Sequence, residues 1–181
     1  MLPVGWLIFA VLLAVLLTMW VTFTLTRLDR LHARADAAQA AMDAQLVRRA
    51  AALQHVAESP DSGAPDELRE GFDDIAKRAL ATSLDDGPRE DAENAVGRAL
   101  AALAALPETL QPAAVAELHE AAARVLIARR FYNDAVRDTR ALRGRRLPRL
   151  FRMAGRRPMP DFFDIDDTVP NRPPPVPPRT T

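Results

Sequence analysis

From Val4 to Thr26 the chain reads VGWLIFAVLLAVLLTMWVTFTLT without one charged residue, and Arg27 follows directly. About 22 helical residues at about 1.5 Å each reach about 33 Å, enough to cross a hydrocarbon layer about 30 Å thick. Such a run constrains everything after it, because a single span leaves the remaining residues on one side of a membrane as one modest domain. Trp6 and Trp20 stand near its ends, where an indole is favoured at the membrane interface. A cleaved signal peptide carries a basic start, a shorter apolar core and an A-x-A-like exit. The uncharged Met1-Leu2-Pro3 and the direct run into Arg27 match none of these, so residues 1–26 are expected to be a retained anchor. Arg27, Arg30 and Arg34 follow the span and no Lys or Arg precedes it, which predicts an external N-terminus and a cytoplasmic soluble domain in the cell membrane.

Beyond the span, Leu28, Leu31, Ala35, Ala38, Met42, Gln45, Arg49, Leu53 and Val56 recur at steps of three and four, the stripe of a helix packed along one side. Ser59-Pro60-Asp61-Ser62-Gly63 carries the turn chemistry that stops it. Asp66 is placed to cap a second helix presenting Leu68, Phe72, Ile75, Ala79 and Leu80 and ending at Asp85-Asp86-Gly87. Pro88 in a first turn with Glu90 and Asp91 opens a third, whose apolar side is Ala92, Val96, Ala99, Leu100, Leu103 and Leu106, and Pro107 closes it. A fourth starts near Pro112, carries Val115, Leu118, Ala122, Val125, Arg129, Tyr132 and Val136 in a coiled-coil-like heptad, and fades near Arg143-Gly144. The expected fold is therefore all-α: a transmembrane helix (1–26), an antiparallel four-helix bundle with two long and two short helices (27–143), and an Arg-rich segment with a Pro-rich, disordered tail (144–181).

Composition removes several classes of function. With no cysteine there is no disulfide framework, thiolate nucleophile or Cys-ligated zinc, and none of the 7 glycines forms GxGxxG or GxxxxGK[ST]. His32, His55 and His119 lack a partner at metal-ligand spacing, and Ser59, Ser62 and Ser83 sit in turn contexts without a nucleophile elbow, so neither a metal, a cofactor nor catalysis is expected. The Ala- and Arg-rich make-up with Lys77 as its one lysine fits a high-GC bacterial genome. The 24 basic and 24 acidic residues cancel, which leaves local distribution to carry any electrostatic role.

One set of residues has a specific likeness. Ala128-Arg129-Arg130-Phe131-Tyr132-Asn133-Asp134-Ala135-Val136-Arg137, with Leu147-Pro148, Phe162-Phe163, Leu106-Pro107-Glu108 and Gln45-Leu46-Val47-Arg48-Arg49 in the first helix, resembles the LemA family over nearly the whole chain. Gln54 and His55 replace the proline and asparagine usual after the QLxRR element, Ala122 replaces a usual glutamate, and Thr139-Arg140 stands where a second YN is usual, the pattern of a divergent member. The resemblance implies a four-helix bundle on an anchor with its N-terminus outside. The family has no established biochemical role.

Two clusters are candidate sites. Arg48, Arg49, Arg129, Arg130, Tyr132 and Asn133 lie on the first and fourth helices, with Arg49 and Arg129 on the apolar stripes, where a guanidinium needs carboxylates such as Asp43, Asp134 or Asp138. They are expected to form a structural polar layer, or alternatively a ligand-sensing pocket between those helices. Arg143, Arg145, Arg146, Arg149, Arg152, Arg156 and Arg157 crowd the stretch where the fourth helix returns toward the span, and are expected to contact anionic lipid, with Leu150, Phe151 and Met153 beside them. Without aromatic platforms the arginines do not suggest nucleic acid. Val169 to Arg179 is a polyproline-type spacer in which Arg172, Pro175 and Pro178 match an SH3-type ligand spacing. Together these features predict a non-enzymatic, membrane-tethered scaffold or adaptor with a protein partner that the residues do not name.

Overall fold

A computed structural model describes residues 4–83, 89–106, 110–146 and 157–166. All regular structure among them is helical: α1 (Val4–Glu58), a 3-10 turn (Pro60–Ser62), α2 (Asp66–Ala81), α3 (Arg89–Ala104) and α4 (Pro112–Arg143). The long members α1 and α4 have 55 and 32 residues and the short pair 16 each, as the apolar periodicity predicts. The polypeptide forms two compact units, one of residues 1–39 with 131–162, the other of residues 40–130 with 163–181.

The second unit is the bundle. Asp43 and Arg49 of α1 face Arg89 and Glu93 of α3, so these helices run in the same direction. His55 faces Glu117, and the Gln111 N–H donates to the Ser62 carbonyl at 2.8 Å, so α4 runs opposite to α1. The connectivity is up-down-up-down. Its core combines Met42, Leu46, Leu53 and Val56 from α1 with Phe72, Ala76 and Ala79 from α2, Val96, Leu100 and Leu103 from α3, and Leu118 and Val125 from α4. Alanines fill the tightest positions, with Ala50, Ala76 and Ala79 wholly enclosed, because a methyl side chain lets helix backbones approach.

Local details depart from expectation at α2. Asp66 is the first helical residue rather than the cap; Pro65 holds the cap position without a side-chain hydrogen bond, and Asp66 pairs with Arg69 at 3.3 Å. Leu68 and Leu80 are exposed, since the buried face is the Phe72, Ala76, Ala79 row. The helix stops at Ala81, and the expected terminator 85–87 lies outside the described residues. Gly63 after the 3-10 turn has φ 78°, a left-handed conformation that favours glycine and lets the chain reverse into α2.

The first unit pairs the beginning of α1 with the end of α4. Its α1 portion is long and apolar enough to cross a membrane, and none of the most apolar 18-residue stretch is buried. Beyond Thr26, Leu28 and Ala35 of α1 are buried, as are Ala135, Val136 and Leu142 of α4. Two contacts set an antiparallel register, Thr139 Oγ1 donating to the Leu31 carbonyl at 3.3 Å and Arg34 pairing with Asp138 at 3.2 Å, and the long side chain of Arg143 brings Nη1 to 3.4 Å from His32 Nε2. His32 Nδ1 lies 2.9 Å from the Leu28 carbonyl, an acceptor only, so Nδ1 is the donor in that contact.

Candidate functional site

The most unusual chemistry in the bundle is a buried ionic cluster between α1 and α3. Arg49 is buried because its position continues the Met42, Leu46, Leu53, Val56 seam. Its Nη2 donates to Glu93 Oε2 at 2.6 Å and to the Glu93 carbonyl at 2.9 Å. The other oxygen, Glu93 Oε1, lies 3.0 Å from Arg89 Nη2, whose Nη1 donates to the Ala79 carbonyl at 2.9 Å and to that of Thr82. Asp43, half exposed, stands 3.5 Å from Arg89. Two guanidiniums thus meet two carboxylates, and three of the four groups are removed from water. Arg49 Nε and Arg89 Nε have no acceptor, so the cluster satisfies its charges better than its donors.

This cluster differs from the polar layer expected between α1 and α4. Arg49 belongs to it, but its carboxylate is Glu93; Asp134 and Asp138 pair with Arg137 and Arg34 at the surface. Arg48 and Arg130 are exposed. Arg129 reaches Asp164 at 3.3 Å, while Tyr132 and the half-buried Asn133 belong to the first unit. Arg89 and Glu93 escaped the sequence reading although a signal was present: with Val96, Leu100 and Leu103 they continue the α3 stripe at steps of four and three. Chemically the cluster is closed. The carboxylate between the two guanidiniums has no exposed surface from which to act.

An apolar crevice lined by Leu100, Leu103, Leu110, Val115, Leu118 and His119 encloses only about 30 Å³. That is far below the roughly 300 Å³ of a small-molecule pocket. Among the described residues no group of three or more His, Asp or Glu side chains converges as a metal site would require.

Residues 157–166, between the Arg-rich stretch and the Pro-rich tail of the 144–181 segment, pack as an extended strap. In the first unit, Arg143 donates to the Arg157 and Pro158 carbonyls at 2.9 and 2.7 Å, and Arg140 Nε donates to the Pro160 carbonyl at 2.7 Å. Arg140 also pairs with Asp161 and places its guanidinium 4.9 Å from the Phe162 ring centre, while the Tyr132 hydroxyl donates to the Asp161 carbonyl at 2.8 Å. In the second unit, the Asp164 and Asp166 N–H groups donate to Glu90 and Asn94 of α3, both at 2.8 Å, and the alternate residues Phe163 and Ile165 are buried. The spacing is that of an extended chain read by one helix face.

The strap engages two members of the set expected to contact lipid. Arg143 is occupied by main-chain carbonyls, and Arg157 lies 3.9 Å from Asp36. Arg145 and Arg146 are exposed; Arg149, Arg152 and Arg156, with Leu150, Phe151 and Met153, lie outside the described residues, as does the Pro-rich stretch with Arg172, Pro175 and Pro178.

These features define an all-α protein with one helix long and apolar enough to cross a membrane. No family model matches the chain, and no curated protein or solved structure matches it either.

Proposed function

We propose that this chain is a non-enzymatic, membrane-tethered scaffold or adaptor of LemA-like type, inserted once with its N-terminus outside and its helical bundle on the cytoplasmic face. The observation that carries the reading is α1 itself: one helix begins as a fully exposed apolar run and continues into the seam of a bundle with a closed core. Exposing that run to water would leave well over a dozen large apolar side chains unburied, which a lipid environment removes. Arg27, Arg30 and Arg34 directly after it support the cytoplasmic placement. The scaffold reading is favoured over a ligand sensor because the buried polar residues fill their own space with ion pairs, and the crevice is lined by apolar side chains with His119 alone as a polar group.

The test is protease digestion of intact cells and of spheroplasts, with alkaline carbonate extraction. Bundle fragments should survive digestion from outside, vanish only after lysis, and remain with the membrane pellet. Release by carbonate, or digestion in spheroplasts without lysis, would overturn the anchor or its sidedness respectively. A pull-down from solubilised membranes with and without the residues after Arg143 then asks which part recruits a partner.

A further inference from the structure

We propose that the end of α4 and the first turn of α1 beyond the apolar run form one basic collar, Arg27, Arg30, Arg145 and Arg146, that binds anionic lipid headgroups. The proposal rests on the membrane reading above and names a partner for the same end of the molecule.

Register carries it. Arg34 is level with Asp138 and Leu31 with Thr139, so steps toward the α4 C-terminus are steps back along α1 toward the apolar run, and the long side chain of Arg143 reaches His32 from nearer that run. At about 1.5 Å per residue, Arg145 and Arg146 fall within about a turn of Arg27, where the uncharged segment ends. Helix α4 stops there: the Gly144 N–H returns to the Arg140 carbonyl at 2.9 Å and the Arg145 N–H to that of Leu142 at 3.2 Å. Continuing straight would drive two arginines toward hydrocarbon, whereas stopping leaves them at the depth of phosphates.

The pattern of pairing points the same way. Arg34, Arg140 and Arg143 in this unit are engaged by Asp138, by Asp161 and by strap carbonyls. Arg27, Arg30, Arg145 and Arg146 are exposed and have no carboxylate partner among the described residues. Asp29 is the one acid in the first turns after the span, so the ring carries a clear positive excess. Four unpaired guanidiniums at one depth match a surface of phosphodiesters, each able to accept a bidentate pair. A basic residue close to an anionic surface contributes about a fivefold gain in association.

The experiment uses the full chain reconstituted in phosphatidylcholine vesicles with trace spin-labelled phosphatidylglycerol or phosphatidylcholine, reading the motionally restricted lipid fraction by electron spin resonance. Phosphatidylglycerol should be preferred by at least about threefold, and raising salt to about 1 M should abolish the preference as the screening length falls to about 3 Å. Arg145→Gln/Arg146→Gln should remove most of the preference, while Arg48→Gln/Arg130→Gln, exposed arginines of the other unit, should retain it. Equal association of the two lipids with an inserted chain overturns the collar and leaves the anchor standing. A chain that stays in the supernatant overturns the anchor, and the collar with it. Tight, salt-dependent capture of transfer RNA by the reconstituted chain, with no lipid preference, would make the arginines a nucleic-acid surface instead.

Discussion

Arg49 and Glu93 are separated by 44 positions in the sequence and by 2.6 Å in space, with 4% and 0% of their side-chain surfaces exposed. A charge pair so enclosed gains Coulomb energy but has already lost its hydration, so its net worth is small while the cost of breaking it is large. Glu93→Gln should therefore destabilise the bundle by about 3–5 kcal/mol, because Arg49 and Arg89 then face one another with no enclosed carboxylate. Chemical denaturation of the detergent-solubilised chain, followed by far-ultraviolet circular dichroism, reads the change. Replacing Arg49, Arg89 and Glu93 together by Met, Met and Leu should instead be neutral or stabilising by about 1–4 kcal/mol. A triple variant weaker than Glu93→Gln would mean the cluster contributes more than it costs.

Alanine packing leads to a second expectation. Ala50, Ala76 and Ala79 have no exposed surface, so a larger side chain must displace its neighbours. Ala76→Leu should cost about 1–3 kcal/mol by overpacking, whereas Leu53→Ala should cost about 2–5 kcal/mol by leaving a cavity. Ala51→Leu, on the exposed side of α1, should change stability by less than about 0.5 kcal/mol. Denaturation midpoints of the three variants, measured together, check the ordering.

The helices were legible before the structure because each leaves a periodic trace: Pro112 opens α4, Arg143-Gly144 ends it, and the Met42 to Val56 seam foretells which side of α1 is buried. The bundle's pairings were legible only as topology. The stripe position of Glu93 on α3 marks it for burial, but nothing local announces that its partner is an arginine 44 positions earlier. The strap was hidden for a different reason. An extended segment bound through its main chain to Arg140, Arg143, Glu90 and Asn94 follows no amphipathic period, so Phe162 and Phe163 stood out only through a family likeness. Arg143 shows the same limit: composition counts its charge but cannot see the Pro158 carbonyl to which it donates.

In the first unit the strap hangs on Arg140 and Tyr132. Tyr132→Phe removes the hydroxyl that donates to the Asp161 carbonyl and should cost about 1 kcal/mol locally. Arg140→Lys keeps the charge but loses the planar fork that serves Pro160, Asp161 and the Phe162 face at once, so it should behave more like Arg140→Ala than like wild type. Amide hydrogen exchange at residues 157–162 should accelerate in the order Tyr132→Phe, Arg140→Lys, Arg140→Ala. Full protection in Arg140→Lys would show that charge alone holds the strap.

In the second unit the same strap is held by different means, and the two can be separated. Phe163 and Ile165 are buried, while the Asp164 and Asp166 N–H groups are read by Glu90 and Asn94. Phe163→Ala should cost about 3–5 kcal/mol if its ring is fully committed to the core, which approaches the total stability of many domains of this size. Asn94→Leu removes one acceptor and leaves the Asp166 N–H to water, at about 1 kcal/mol, because that residue is exposed and can be rehydrated. Limited proteolysis followed by mass spectrometry should then show early cleavage within 163–166 for Phe163→Ala and near-wild-type resistance for Asn94→Leu. The reverse order would mean that α3 holds this stretch through its main chain rather than through the alternating apolar side chains.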